Sequence, residues 1–418
     1  MNKKVVIIDT PHFFLDEYYN VARDEQDEVY FVNASVPDNL QDKYPIKLLD
    51  IKTQYDEIKQ WIKYELGNID AIYSIDERST IEGNRLAREF NLDKNSPESI
   101  LNNRDKACMK NVWTANNILT PSAKIYNTSN DINFNELQYP LILKPSLGYA
   151  SSCVIKIKNE DELRNKIRTL IITDKLYLNN NNNTCSQIIL EEFIDGYEYS
   201  VDSLWYDGEV MLHFIATKEN PQGPLFKDRV YVSDPMLNPE LKLLIEKSVE
   251  KAIITTGYLT GATHVELRIK NNKCYFLESA CRPGGSGMTY RIFSDSYEQN
   301  IFKLFYKLYT SDSRDEYIKY MNEINLPKQP SNLSLLYIIQ HTEHGKIKEI
   351  KGLEEILDRP EVMTSVTLRK VGDKLLSEEV DPGYINILFC SIEGNEKGID
   401  YALELVEYYE SVIRVICE

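Results

Sequence analysis

The sequence predicts a multidomain chain of mixed α/β and α+β class, headed by a parallel-sheet α/β domain. Three observations carry this. The first 100 residues alternate short apolar strands with stretches of helical periodicity, residues 141–280 are dominated by strands, and 418 residues exceed what one compact core organises. The chain divides into an α/β domain at 1–100, a smaller lobe at 101–200, a larger lobe at 201–325 and a C-terminal α+β unit at 326–418.

In the first domain, Val5–Ile8 and Glu28–Val32 read as buried strands, and Asp70–Ile75 as a third. Ile58, Trp61, Ile62 and Leu66 recur at helical spacing over Tyr55–Leu66, and a second helix runs over Glu82–Phe90. Strands alternating with helices imply a parallel sheet whose ligand edge lies at the strand C-termini. The segment Asp76-Glu77-Arg78-Ser79-Thr80 follows such a strand. It either points into a ligand crevice or uses Ser79 or Thr80 to cap the next helix.

One helix is expected within 101–125, ending before Pro121, with Arg104, Asp105 and Lys106 in its first turns. Strands follow at Leu141–Lys144, Val154–Ile157, Ile188–Phe193, Glu198–Tyr206 and Glu209–Ala216. The polar run Asn179–Asn183 reads as a surface loop. Residues 219–237 hold Pro221, Gly223, Pro224 and Pro235 and read as loop. A helix over 239–257 precedes a strand pair at 262–269 and 274–280. Residues 311–333 read as a connection, and the chain closes with a helix over 396–413.

The composition, 42% hydrophobic and 27% charged, argues against global disorder. A net charge of −17 disfavours nucleic acid as a partner, though not a nucleotide, which needs only a local nest of lysines and amides. No apolar run reaches the roughly 18 residues of a membrane span. The apolar N-terminal stretch is too short for a signal peptide. The seven cysteines are odd in number and lack metal-knuckle spacing, which suits reduced thiols in the cytoplasm.

Three segments carry the chemistry. In Pro140–Val154 an apolar strand delivers Lys144 and then small residues, including Ser151 and Ser152, that let backbone amides approach a phosphate. It is no Walker loop, since no Gly-Lys-Ser/Thr opens a helix. In Ile189–Val201 a strand ends in Glu191 and Glu192, passes Phe193 and Ile194, turns at Gly196 and re-enters a strand bearing Glu198. Such a strand end can read an adenine edge and a carboxylate can accept from ribose; a plain turn with solvated acids is the other reading.

The third segment is the most specific. Alternation along a strand puts His264, Glu266 and Arg268 on one face, and Glu278, Ala280 and Arg282 on one face of the next. If the faces coincide, two carboxylates meet above the sheet and suit Mg²⁺, which takes hard oxygen ligands and keeps room for phosphates. The competing reading turns them to solvent, paired with lysines. With a two-residue loop at Asn271-Asn272, Glu266 would oppose Leu277 and Glu278 would point away. A shared metal therefore requires a three-residue loop centred on Asn272, or an equivalent bulge.

The order Lys106, Lys144 with its small-residue loop, Glu191 to Glu198, Glu266, Glu278 and Arg282 resembles the ATP-grasp superfamily over essentially the whole chain. Within it the chain is similar to the carboxylate–amine ligases, bacterial L-amino-acid ligases in particular. The resemblance implies ATP-grasp architecture, with two lobes that clamp ATP between the N-terminal domain and the C-terminal unit. It implies that Lys106 and Lys144 contact phosphates, aided by Ser151 and Ser152. Glu191, Phe193 and Ile194 would form the adenine hinge and Glu198 would bind ribose. Glu266 and Glu278 would hold Mg²⁺, with Mn²⁺ as a substitute, and Arg282 and Lys144 would be catalytic. Glu77, Ser79, Lys218, His264, Gly285 and Ser286 are candidate substrate contacts, His264 being equally readable as a structural histidine. Ala280 departs from the pattern, which often places asparagine there.

The implied activity is ATP-dependent amide formation between two amino acids through an acyl-phosphate, releasing ADP and phosphate. Amino acids would be its partners, with no nucleic acid or membrane, and a homodimer stays open. The alternatives are another carboxylate activation of purine-biosynthetic or carboxylase-like type, and a nucleotide-binding regulator without catalysis.

Overall fold

The first sheet of the computed structural model is parallel, built from β1 (Lys4–Ile8), β2 (Glu28–Asn33), β3 (Ile46–Leu48) and β4 (Ala71–Ser74) in the order β3-β2-β1-β4. Val5, Val6, Ile7 and Ile8 are all buried because helices cover both sheet faces. The structure describes residues 2–175, 186–221, 223–341, 344–376 and 383–418. The Asn179–Asn183 run and Cys185 lie outside the described residues.

The helix expected within 101–125 is two. Pro97–Arg104 starts one turn earlier, with Ser96 capping it and Pro97 at its first position, where the missing N–H costs nothing. The chain breaks at Asp105, whose extended backbone lets its carboxylate accept from the amides of Ala107 and Cys108. Lys106–Ala115 is then a separate helix. The break matters because it sets the direction in which Lys106 and Lys110 leave the helix.

A four-stranded antiparallel sheet follows, β5 (Ala123–Tyr126), β6 (Leu141–Pro145), β7 (Ile155–Ile157) and β8 (Ile188–Glu192), ordered β5-β8-β6-β7. Helix Glu160–Thr173 covers one face through Leu163, Ile167 and Leu170. The other face looks onto the larger lobe.

That lobe is organised by an eight-stranded sheet ordered β13-β12-β9-β10-β11-β14-β18-β16. Its strands are β9 (Glu198–Tyr206), β10 (Glu209–Thr217), β11 (Val230–Ser233), β12 (Gly261–Lys270), β13 (Lys273–Ala280), β14 (Leu333–Gln340), β16 (Val362–Thr367) and β18 (Tyr384–Ile392). A three-stranded sheet of β15 (Gly345–Lys351), β17 (Lys374–Leu375) and β19 (Arg414–Cys417) completes the chain. Val201, Trp205, Val265, Leu267 and Phe276 pack on helices Lys106–Ala115 and Pro239–Thr256. The opposite face carries Glu198, Asp202, His264 and Glu266 and, beyond them, Leu204, Phe214 and Ala262, which pack on helices Met288–Ser296 and Ile301–Thr310.

Three further expectations need correction. The proline-rich 219–237 segment contains β11, because Val230-Tyr231-Val232 pairs with β14 and is buried. The 311–333 connection contains helix Arg314–Ile324, capped by Ser313 and ended by a left-handed Asn325. The C-terminal helix Ile399–Val412 is followed by β19, which pairs with β15, so the chain ends in a strand.

Candidate active site

The hairpin of β12 and β13 sets the geometry. Its loop has two residues, Asn271 and Asn272, both left-handed at φ 51° and 55°, as a tight turn requires. The three-residue loop is therefore not used. The register shifts instead further along: Leu267 opposes Phe276, but Glu266 opposes Glu278. Leu277 is the extra residue of a bulge that turns Glu278 onto the face of Glu266. The two carboxylates required on one side are directly opposed, and Ala280, opposite His264, adds no oxygen.

Lysines arrive from three segments. The Lys144 and Lys110 ammonium groups lie 2.6 and 2.5 Å from the two oxygens of Glu191, and all three side chains are at most 4% exposed. Lys106 Nζ donates to the Gly148 carbonyl at 2.9 Å and lies 3.1 Å from Glu278 Oε2. Burial pushes the Lys110 ammonium down to about 8 against the pull of Glu191. Burial alone would raise the Glu191 carboxyl, but Lys110 and Lys144 outweigh it and hold it below its ordinary value.

These groups border a cleft of about 690 Å³ between the four-stranded and eight-stranded sheets. Lys106, Lys144, Ser151, Ser152, Glu191, Phe193, Ile194, Glu198, Glu266 and Glu278 all line it. Ala150, Ser151 and Cys153 of the 146–153 loop beside it are left-handed, an unusual backbone for non-glycine residues. At the other end Phe193 and Phe226 stack at 5.9 Å. Arg268 donates to Glu198 Oε2 at 3.0 Å and to the Ile194 carbonyl at 2.7 Å.

Lys218 gathers three carboxylates: its Nζ lies 2.5 Å from Glu198, 2.9 Å from Asp228 and 3.1 Å from Glu266. Burial opposes that charge, but Asp228, Glu198 and Glu266 together hold the ammonium well above its ordinary value. Each glutamate of the opposed pair thus rests on a lysine, Glu266 on Lys218 and Glu278 on Lys106. Among the described residues no group of three or more His, Cys, Asp or Glu is arranged to hold a metal ion. Two hard carboxylates with further oxygens from a nucleotide fit Mg²⁺, which keeps few protein ligands.

The remaining expected residues sit beyond the cleft. Arg282 Nε donates to Glu77 Oε2 at 2.7 Å, and Arg104 Nε lies 3.4 Å from Glu77 Oε1, so Glu77 ties the N-terminal domain to the end of β13. Ser79 is fully buried and donates to the Asp76 carbonyl; it neither caps the helix through its side chain nor lies open to a substrate. Gly285 and Ser286 are left-handed, and Ser286 Oγ donates to Asp76 Oδ2 at 3.1 Å. His264 Nδ1 lies 3.1 Å from Asp202 Oδ2 and Nε2 lies 3.7 Å from Glu266 Oε1. Burial works against its charge, but Asp202 and then Glu266 outweigh that and push the imidazole up to about 9.

Sequence reasoning missed Lys110, Asp202 and Asp228 as parts of this assembly, and placed Arg268 on the face of Glu266 without a role. Lys110 was recoverable, since it stands four residues after Lys106 and shares its helix face. Asp202 was recoverable too, alternating on β9 with Glu198 and Ser200. Asp228 lies in an aperiodic segment with no such signal.

Residues 137–290 match the ATP-grasp domain. The chain is 29% identical over 192 residues to the D-alanine–D-alanine ligase of Haemophilus ducreyi, covering 43% of this chain and 58% of that protein. It is 25% identical over 301 residues to the alanine–anticapsin ligase of Bacillus subtilis, covering 67% and 62%. The chain thus spans less than two thirds of the length of either curated relative. The crystal structure of L-amino acid ligase from Bacillus licheniformis superposes with a TM-score of 0.85 at 24% identity, covering 100% of this chain and 99% of that one.

Proposed function

From the ATP-grasp fold that this chain has, we propose an ATP-dependent ligase that joins the carboxylate of one amino acid to the amine of another. The observation that carries the reading is the cleft in which Lys106 and Lys144, from a helix and a strand, stand with the directly opposed Glu266 and Glu278, Lys106 lying 3.1 Å from Glu278. The likeness to named ligases supports the same reading.

The chemistry requires two displacements. A carboxylate oxygen attacks the γ-phosphorus of ATP, the bond to the β-phosphate oxygen breaks, and ADP leaves. The amine then attacks the acyl carbon, phosphate departs with the C–O electron pair, and the nitrogen sheds a proton. Lys106 and Lys144 neutralise charge on the phosphates, and Arg282 does so at the transferring group. Mg²⁺ held by Glu266 and Glu278 would supply further neutralisation of phosphate charge. Glu198, oriented by Arg268, accepts from ribose, and the Phe193–Ile194 backbone reads adenine. The four-stranded sheet, carrying the 146–153 loop, covers the acyl-phosphate and keeps water from it.

A phosphate-release screen over single amino acids and pairs, with amide product measured in parallel, identifies the substrates. Oxygen-18 placed in the substrate carboxylate should then appear in the released phosphate. Label absent from phosphate, or AMP and pyrophosphate as products, excludes the acyl-phosphate route.

A further inference from the structure

We propose that Asp202 is a positioning residue that couples the phosphate end of the site to its acyl end. The inference rests on the ligase reading and adds to it a residue that none of the expected roles uses. Asp202 is fully buried on β9, directly opposite His264 on β12. Each carboxylate oxygen has one partner. Oδ1 accepts from the Gly284 amide at 2.6 Å, and Oδ2 faces His264 Nδ1 at 3.1 Å. A carboxylate engaged at both oxygens has no rotational freedom left, and one buried this completely must be paired to persist.

The two partners belong to different parts of the site. His264 leads through Nε2 to Glu266 at 3.7 Å, hence to the carboxylate pair beneath the phosphates. Gly284 opens the left-handed loop Gly285-Ser286-Gly287, which follows Arg282 and is pinned to the N-terminal domain through Ser286 and Asp76. The loop also packs directly on the imidazole: a Cβ at Gly284 would lie 2.5 Å from His264 Nδ1 and 2.7 Å from Thr289 Oγ1. Asp202 therefore fixes the spacing between Glu266 and the loop beside Arg282. An acyl-phosphate formed at one end must be met by an amine at the other before water reaches it. The spacing thus governs how much ATP turnover ends in amide.

Asp202→Asn tests this. The amide oxygen still accepts from Gly284, but the NH₂ group meets His264 Nδ1 as a donor, so the acceptor for an Nδ1–H is lost and only an imidazole with a bare Nδ1 can pair with it. Amide turnover should fall about 10- to 100-fold, as losses of supporting partners do. The Michaelis constant for ATP should stay close to wild type, and phosphate released per amide should rise above one. In a His264→Ala background the same substitution should change little, since its route of action is gone. Gly284→Ala pushes the imidazole away from Asp202 without altering a buried charge and should uncouple likewise. Variants whose phosphate and amide rates fall in proportion, the ratio staying at the wild-type value, overturn the proposal. Wild-type chain that releases no phosphate with any amino acid pair overturns the ligase reading instead, before any variant is compared.

Discussion

Glu191→Gln removes the one negative charge held between two buried lysines and leaves the shape of the side chain almost unchanged. Lys110 and Lys144 lie 2.5 and 2.6 Å from its oxygens. Breaking a buried pair by removing one partner costs about 3–5 kcal/mol, because the other charge stays behind without compensation. Here two charges stay behind, but Lys110 has an escape. Even with Glu191 present its ammonium sits at about 8, against an ordinary 10.5, which corresponds to about 3 kcal/mol spent on keeping it charged at pH 7. Without the carboxylate Lys110 should lose its proton near neutrality, and that release caps the loss at the lower end of the range.

The sign of the pH dependence follows. A lysine whose folded value lies below its unfolded one binds fewer protons folded than unfolded in the window between them. Stability therefore rises with pH across that window. For wild type the window runs from about 8 to 10.5; in Glu191→Gln its lower limit moves down, so stability gains begin nearer pH 7. Urea unfolding at half-unit intervals from pH 6.5 to 9 (on the order of the window itself), with and without ATP, reads both effects. ATP should restore more stability to the variant than to wild type, since its phosphates replace the missing charge. A variant as stable as wild type at pH 7, with the same pH slope, would refute the argument that these lysines depend on Glu191.

Lys144→Ala should abolish amide formation yet leave a folded chain, because Lys110 still neutralises Glu191; full phosphate release by that variant would remove Lys144 from the site. Arg282→Ala should lower turnover by about 10²-fold or more, as loss of one charge-stabilising donor does. Its stability should drop far less, since Arg104 remains 3.4 Å from Glu77, and near-normal steady-state kinetics would confine Arg282 to tethering the domains. Deleting Leu277 should close the bulge into a regular hairpin with the two glutamates still opposed. The Leu277 carbonyl that accepts from Lys144 at 3.4 Å and the side chain lining the cleft are lost, so the Michaelis constant for ATP should rise while dependence on Mg²⁺ persists. Loss of that dependence would contradict the bulge assignment.

Local pattern was enough for much of this protein. Period-two alternation placed His264, Glu266 and Arg268 on one strand face, and the apolar runs at Val5–Ile8 and Leu141–Lys144 read as buried strands, as they are. The need for two carboxylates on one side even dictated that the β12–β13 hairpin could not be regular. Whether a longer loop or a bulge met that need was beyond the sequence, because both restore the same face and differ only in where the extra residue sits. The helix break at Asp105 was hidden for a related reason: its carboxylate caps the next helix only once the chain has left helical geometry there. Strand β11 escaped because proline and glycine flank it, and its burial comes from β14, a hundred residues away.

What tertiary structure alone decided is which charges face each other. Lys110, Lys144 and Glu191 are distant in sequence, as Lys218 and Asp228 are from Glu266, and Asp202 from His264 and Gly284. Sequence periodicity says which side of a strand or helix a charged residue takes, since that is a property of local backbone geometry. It cannot say which opposite charge will compensate the cost of burying it, because that partner is delivered by sheet order and by the packing of one lobe against the other.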